Sequence, residues 1–228
     1  MPATSIRGPQ LLLMAGTLAV GLLADARAGI GGQLLIGAVF WGVLIHVGGR
    51  VEPRERQGLL ACLAVATAGE LFLSLTWGLY SYRLENVPPF VPPGHVMMFL
   101  LAQALARRMP EAVASGIVAA AGIYAGVAAA TGFDTFGVPL FLLLGAALLL
   151  LPDERRLLAG TLLLSLVLEL YGTRLGIWTW ERDVPYCGLV TSSPPALSGA
   201  LYVVRDAGVA LAASLAVRRR AAVATRYA

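Results

Sequence analysis

Glu70, Glu169 and Asp206 are carboxylic acids set inside long apolar stretches, and they are the first candidates for chemistry in this sequence. Glu70 sits in "ATAGELFLSLTWGLY", Glu169 in "LLSLVLELYGTRLGIW" and Asp206 in "SGALYVVRDAGVALAA". An acid within a membrane span costs about 2.5–3.5 kcal/mol on insertion scales, so by default it faces a protein interior and is functional. In an apolar, poorly hydrated cavity the ionised form of a carboxylic acid is disfavoured, and a neutral acid can protonate a poor base such as an alkene or epoxide. A second carboxylate, held ionised by an arginine, can remove a proton elsewhere. Glu70 as general acid, with Asp206 or Glu169 as base or orienting partner, fits those roles. The competing reading is structural: an interhelical hydrogen bond, or a salt bridge to Arg174 or Arg205. Arg205 and Asp206 are neighbours, so about 100° of helical rotation separates them and each is expected to meet a different partner.

Aromatic residues follow each glutamate. Trp77, Tyr80, Tyr82, Phe90, Trp178, Trp180, Tyr186 and Tyr202 gather near the same ends of the expected helices. Ring faces stabilise cations, which suits a carbocation travelling along an isoprenoid; the same residues also suit a membrane–water interface belt. Trp77 is seven residues beyond Glu70, two helical turns, and so belongs on its face. His95, just after "VPPG", would orient a substrate head group, relay a proton or sit as an interfacial residue. Trp77, Tyr80, His95, Trp178, Trp180, Tyr202 and Arg205 form the expected substrate-binding set. The proline pairs Pro92–Pro93 and Pro194–Pro195 are expected in loops folded over the mouth of a cavity, because proline fixes φ and withholds a donor.

The elements that must position these side chains are set by composition. Hydrophobic residues make up 58% of the 228 and charged residues only 13%, against roughly 45–50% and about 25% in soluble domains. An all-α, polytopic membrane protein follows, with about eight transmembrane helices near 9–26, 29–48, 57–79, 94–106, 111–131, 136–151, 157–175 and 197–217. The first run, from Leu11, has no small-residue cleavage site and reads as a retained helix. All 17 cations are arginine. Arg7, Arg50, Arg54, Arg56, Arg107, Arg108, Arg155, Arg156, Arg218, Arg219, Arg220 and Arg226 fall on one side of this arrangement. Only Arg27, Arg83, Arg174 and Arg182 fall on the other. The positive-inside rule then places both termini in the cytoplasm of a multi-pass cell-membrane protein, and the basic balance is no sign of nucleic acid.

The chain also reads as an internal duplication. "GLYSY" at Gly78–Tyr82 answers "GIWTW" at Gly176–Trp180, "ENVP" answers "RDVP", and a Pro-Pro pair follows in each case. One transmembrane domain over 1–228 would hold two parallel four-helix repeats, about 9–108 and about 110–217, and a cytoplasmic tail 218–228. Parallel repeats commonly enclose a binding site.

Absences narrow the chemistry. There is no lysine for a retinal Schiff base, no aspartate-rich run for magnesium diphosphate, and no P-loop or G-x-S-x-G element. His46 and His95 lack metal-ligand spacing, and Cys62 and Cys187 stand apart, so neither metal nor cofactor is expected. The segment "LELYGTRLGIWTWERDVPYCGLVTSSPP" resembles heterodimer-type lycopene cyclases, in which a helix runs into G-x-W-x-aromatic and a proline-led helix. "ELYGTRLG" is similar to the acid-x-x-Gly stretch of bacterial carotenoid hydratases. The size, with an early Glu and a late Asp, resembles the integral membrane terpene cyclases of meroterpenoid pathways. Where the lycopene cyclases carry paired glutamates, this chain has Ala196, Leu197 and Ser198. The resemblance implies a metal-independent, protonation-initiated cyclase, hydratase or isomerase of a lipophilic isoprenoid, in contact with membrane lipids. The alternative is a small membrane carrier or lipid-binding protein. Nothing in the sequence sets the oligomeric state.

Overall fold

The structure is a computed structural model and describes residues 6–209. The expected tail 218–228 and the end of the last expected span lie outside the described residues. Helices dominate: α1 Gly8–Asp25, α2 Ile30–Gly48, α3 Pro53–Glu70, α4 Val91–Ala106, α5 Glu111–Ala130, α6 Gly137–Leu150 and α7 Arg155–Arg174, then α8 over 199–209. A π-helical segment, Leu71–Thr76, continues α3, and a 3-10 turn, Pro152–Glu154, precedes α7. Several start where proline costs no hydrogen bond, with Pro53 opening α3 and Pro92–Pro93 in the first turn of α4 and not in the loop expected for that pair.

Five segments are long and apolar enough to cross a membrane: Gly8–Asp25, Ile30–Gly48, Glu55–Thr76, Glu111–Ala130 and Pro152–Arg174. Their outward faces are apolar as well, and large side chains such as Leu12 and Leu35 stand 76% and 69% exposed. α4 and α6 are shorter. For α4 the reason is its position. It packs against α1, α2, α3 and α7, and Val91, Pro93, Val96, Met97, Phe99, Leu100 and Ala102 are buried on all its sides. A helix that is apolar all round belongs in a core. α8 crosses α7 closely, since a Cβ on Gly199 would lie 2.9 Å from Leu162 Cα.

The aromatic segments that follow the two glutamates are short strands. Tyr80–Tyr82 forms β1 and Trp178–Trp180 forms β2, paired antiparallel with Tyr80 opposite Trp180 and Tyr82 opposite Trp178. A second ribbon pairs β3 Asp183–Val184 with β4 Leu189–Val190. The strand reading follows from alternation: in Y-S-Y and W-T-W the rings are buried and the hydroxyl residue between them is exposed, the period of a half-buried strand. Each strand is entered through a glycine in the left-handed region, Gly78 at φ +72° and Gly176 at φ +69°. That conformation costs other residues roughly 1–2 kcal/mol. The expected all-α class therefore holds for the bulk of the chain, with these ribbons added.

Two further buried acids serve the frame. Asp25, ending α1, accepts from Gln33 Nε2 at 3.2 Å, while Arg83 donates to the Asp25 carbonyl at 2.5 Å. Asp134 accepts from Gly137 N at 3.0 Å and from the Tyr124 hydroxyl at 2.9 Å, joining the start of α6 to α5.

Candidate functional site

The two intrahelical glutamates meet the ribbon by the same rule. Tyr80 and Tyr82 both donate to Glu70 Oε2, each at 2.7 Å. Trp178 and Trp180 both donate their indole N–H to Glu169 Oε2, at 2.7 and 2.9 Å. Alternate residues of one strand point to one face, so a pair of aromatics two apart can close on one carboxylate oxygen. The intervals differ by one residue: ten and twelve beyond Glu70, nine and eleven beyond Glu169. The π segment absorbs the difference. Its bond from Trp77 N to Phe72 O, 2.7 Å, spans five residues instead of four, so the first connection holds one more residue per turn.

The remaining partners distinguish the acids. Glu70 Oε1 is 2.6 Å from His95 Nε2, whereas Glu169 Oε1 accepts from the Tyr202 hydroxyl at 3.0 Å. Glu70 is thus surrounded by phenols and an imidazole, groups that can both donate and accept hydrogen bonds. Two of the three donors to Glu169 are indoles, which donate but do not accept. Tyr202 spans the two centres, its ring stacked on His95 with centroids 4.8 Å apart. Among the described residues no arginine pairs with Glu169. Neither Arg174 nor Arg205 is the partner the sequence offered.

Arg205 instead folds back onto its neighbour. Its Nε donates to Asp206 Oδ1 at 2.7 Å, and Nη2 is 2.5 Å from the same oxygen. The expectation that these two residues meet different partners is therefore corrected. Helical rotation separates their Cβ directions, but the long arginine side chain curls back far enough to cancel it. Arg205 Nη1 also donates to His95 Nδ1 at 2.9 Å and to the His95 carbonyl at 3.1 Å. The other Asp206 oxygen, Oδ2, accepts from Thr161 Oγ1 at 2.5 Å.

These groups border a cavity of about 380 Å3 with an overwhelmingly apolar lining, within the size range of small-molecule sites. Glu70, Glu169, Trp77, Tyr80, His95, Trp178, Trp180, Tyr202 and Arg205 all line it, so nine of the ten expected site residues converge there. Asp206 does not; it lies behind Arg205. Trp77 is anchored by its indole N–H to the Pro185 carbonyl at 2.9 Å. Four lining residues within helices are also exposed: Val65 on α3, Phe72 on the π segment (53%), Leu143 on α6 and Val204 on α8 (47%). The cavity therefore opens sideways, between helices.

Three participants were not among the expected site residues. Tyr82 is Tyr80's partner at strand spacing. Thr161 stands with Ser165 four residues on, a polar pair on one helical face of an apolar run, and that was a usable signal. Gly172 is the glycine of the acid-x-x-Gly stretch: a Cβ there would overlap the Trp178 indole, so its absence lets the ring reach Glu169. Gly172→Ala is expected to destabilise the protein by about 1–3 kcal/mol through overpacking. Thermal unfolding in detergent reads the loss, and an unchanged midpoint with unchanged tryptophan emission would refute this role.

Burial first, and then the nearby Glu70 charge, push the Tyr80 and Tyr82 hydroxyls well above the ordinary tyrosine value. A raised pKa keeps the neutral, donating form as pH rises, so both phenols remain donors through the ordinary tyrosine range near pH 10. Ultraviolet titration of the Tyr80→Phe, Tyr82→Phe double variant should show the same tyrosinate signal near pH 10 as the parent. A smaller signal in the variant would show that these phenols ionise normally.

Among the described residues no three His, Cys, Asp or Glu side chains come together as a metal site. Comparison with family models, curated proteins and solved structures finds no match to this chain.

Proposed function

We propose that this protein is an integral membrane enzyme that protonates a lipophilic isoprenoid without a metal, with cyclisation as the outcome favoured over hydration or isomerisation. The observation that carries the proposal is a single apolar cavity faced by two buried carboxylates, Glu70 and Glu169, with tyrosine and tryptophan rings between them. Eight spans in two parallel four-helix halves, with both termini on the cytoplasmic side, form the matching topology. It is supported by five membrane-length apolar helices, their exposed leucines and the one-sided arginines. The sideways opening suits a substrate that arrives from the hydrocarbon layer. The likeness of "LELYGTRLGIWTWERDVP" to isoprenoid-cyclising enzymes points the same way.

In this reading Glu70, when protonated, gives its proton to an alkene carbon. A C–H bond forms from the alkene's π electrons and a carbocation remains. Tyr80, Tyr82, Trp178 and Trp180 turn ring surface towards that charge, and Glu169, held by two indole donors, is the base or orienting partner. A second alkene attacks the cation to close a ring, and loss of a proton to a cavity carboxylate ends the reaction with no net change in composition. Lipid extraction and mass spectrometry after expression in a host supplied with isoprenoid precursors tests this. A new isomer of the supplied isoprenoid is expected. If no product forms and vesicles instead show proton flux that depends on Glu70, the protein is a carrier.

A further inference from the structure

Asp206 has the sequence position of a catalytic base, yet both of its oxygens are occupied away from the cavity. Arg205 Nε holds Oδ1 and Thr161 Oγ1 holds Oδ2, at 2.7 and 2.5 Å. All three side chains are buried, none more than 4% exposed. The pair of contacts clamps the guanidinium, and the clamped Nη1 faces His95 twice, at Nδ1 and at its own carbonyl.

A guanidinium has five N–H donors and no acceptor. His95 Nδ1, 2.9 Å from Nη1, must therefore accept. In a neutral imidazole the one proton then sits on Nε2, 2.6 Å from Glu70 Oε1. A second proton, on Nδ1, would set N–H against N–H in a buried site. The stack on Tyr202 holds the ring plane while these edge contacts set its direction. The orientation of a histidine's two nitrogens is usually set by the hydrogen bond one of them makes. Here that bond comes from an arginine.

We infer that Arg205, positioned by Asp206 and Thr161, locks His95 as the neutral Nε2–H tautomer, so that His95 is a fixed donor orienting Glu70 and not a proton carrier. Asp206 is then a positioning residue that acts through Arg205. Proton exchange at Glu70 is confined to the oxygen facing the two tyrosines. This holds whatever molecule occupies the cavity, and so stands apart from the isoprenoid reading.

The sequence contains two histidines, so His46→Gln leaves His95 alone for nitrogen-15 NMR of histidine-labelled protein in detergent or nanodiscs. At neutral pH the Nδ1 resonance is expected in the unprotonated range and the Nε2 resonance in the protonated range. An Nδ1–H tautomer, an imidazolium, or a rapidly exchanging average would overturn the inference without recourse to any change at the clamp. In Asp206→Asn, which keeps size but removes the charge holding Arg205, the two resonances should move towards each other as tautomers mix. An unchanged spectrum in a folded Asp206→Asn protein would remove Asp206 from the clamp. Thr161→Val should shift the spectrum the same way by a smaller amount; a larger shift than in Asp206→Asn would make Thr161 the principal support.

Discussion

Glu70→Gln is expected to lower product formation by about 10²–10⁴-fold, the usual contribution of a positioned general acid, while the protein accumulates to its normal level. The substitution preserves volume, so the ribbon and α4 keep their packing. It changes the hydrogen-bond inventory. An amide offers one acceptor oxygen and two N–H donors where the glutamate had two acceptor oxygens. The oxygen can serve the Tyr80 and Tyr82 hydroxyls, or it can serve His95, but it cannot serve both sides. Phenol hydroxyls rotate easily, so the expected arrangement turns the amide oxygen to His95 and leaves the tyrosines facing the amide N–H. That arrangement folds, but it has no acid at position 70. Quantifying product by mass spectrometry against membrane-extracted protein separates lost chemistry from lost protein. Wild-type turnover in this variant would remove Glu70 from the mechanism and leave the cavity as a binding site.

Glu169→Ala, by contrast, is expected to damage the fold. Two buried indoles and a half-buried tyrosine donate to this carboxylate: Trp178 Nε1, Trp180 Nε1 and Tyr202 Oη, at 2.7, 2.9 and 3.0 Å. Stripping a buried donor of its acceptor costs about 1–3 kcal/mol, and the two indoles have no other role available, since they cannot accept. Relaxation and entering water make the losses less than additive, so a destabilisation of about 3 kcal/mol or more is expected. It should appear as a lower unfolding midpoint in detergent and weaker near-ultraviolet circular dichroism from the tryptophans. Glu169→Gln retains one acceptor and should fall between. If Glu169→Ala unfolded with the wild-type midpoint, the indoles would have to find other acceptors, and the ribbon would not depend on the acid.

These contrasting expectations for two acids in matching sequence contexts show where sequence reasoning ends. Both glutamates were visible as costly charges in apolar runs, and the following Gly-x-aromatic-x-aromatic segments were visible as companions. What joined them was not. Read along the chain, the aromatics suited an interface belt as well as a cavity. Only the pairing of β1 with β2 turns Tyr80, Tyr82, Trp178 and Trp180 inward onto Glu70 and Glu169, and strand pairing between residues about a hundred apart leaves no local mark. The π segment escaped notice for a similar reason. One additional residue between Glu70 and Gly78 reads as slack until the helix has to present both ends at one site. Arg205 and Asp206 misled because helical periodicity describes Cβ directions, and an arginine is long enough to bend back across that angle.

The helical bulk of the chain, the approximate positions of its described helices, and the identity of its costly intrahelical acids were written in composition and spacing. Those properties are local: burial tendency, φ restriction at proline and the 3.6-residue period act within a few turns. Which acid meets phenols and imidazole and which meets indoles was decided only when α4, α7, α8 and the ribbon packed together. So was the placement of Asp206 behind the cavity wall. A hydrogen-bond partner contributed by a distant segment is a property of the closed bundle, and no window of sequence contains it.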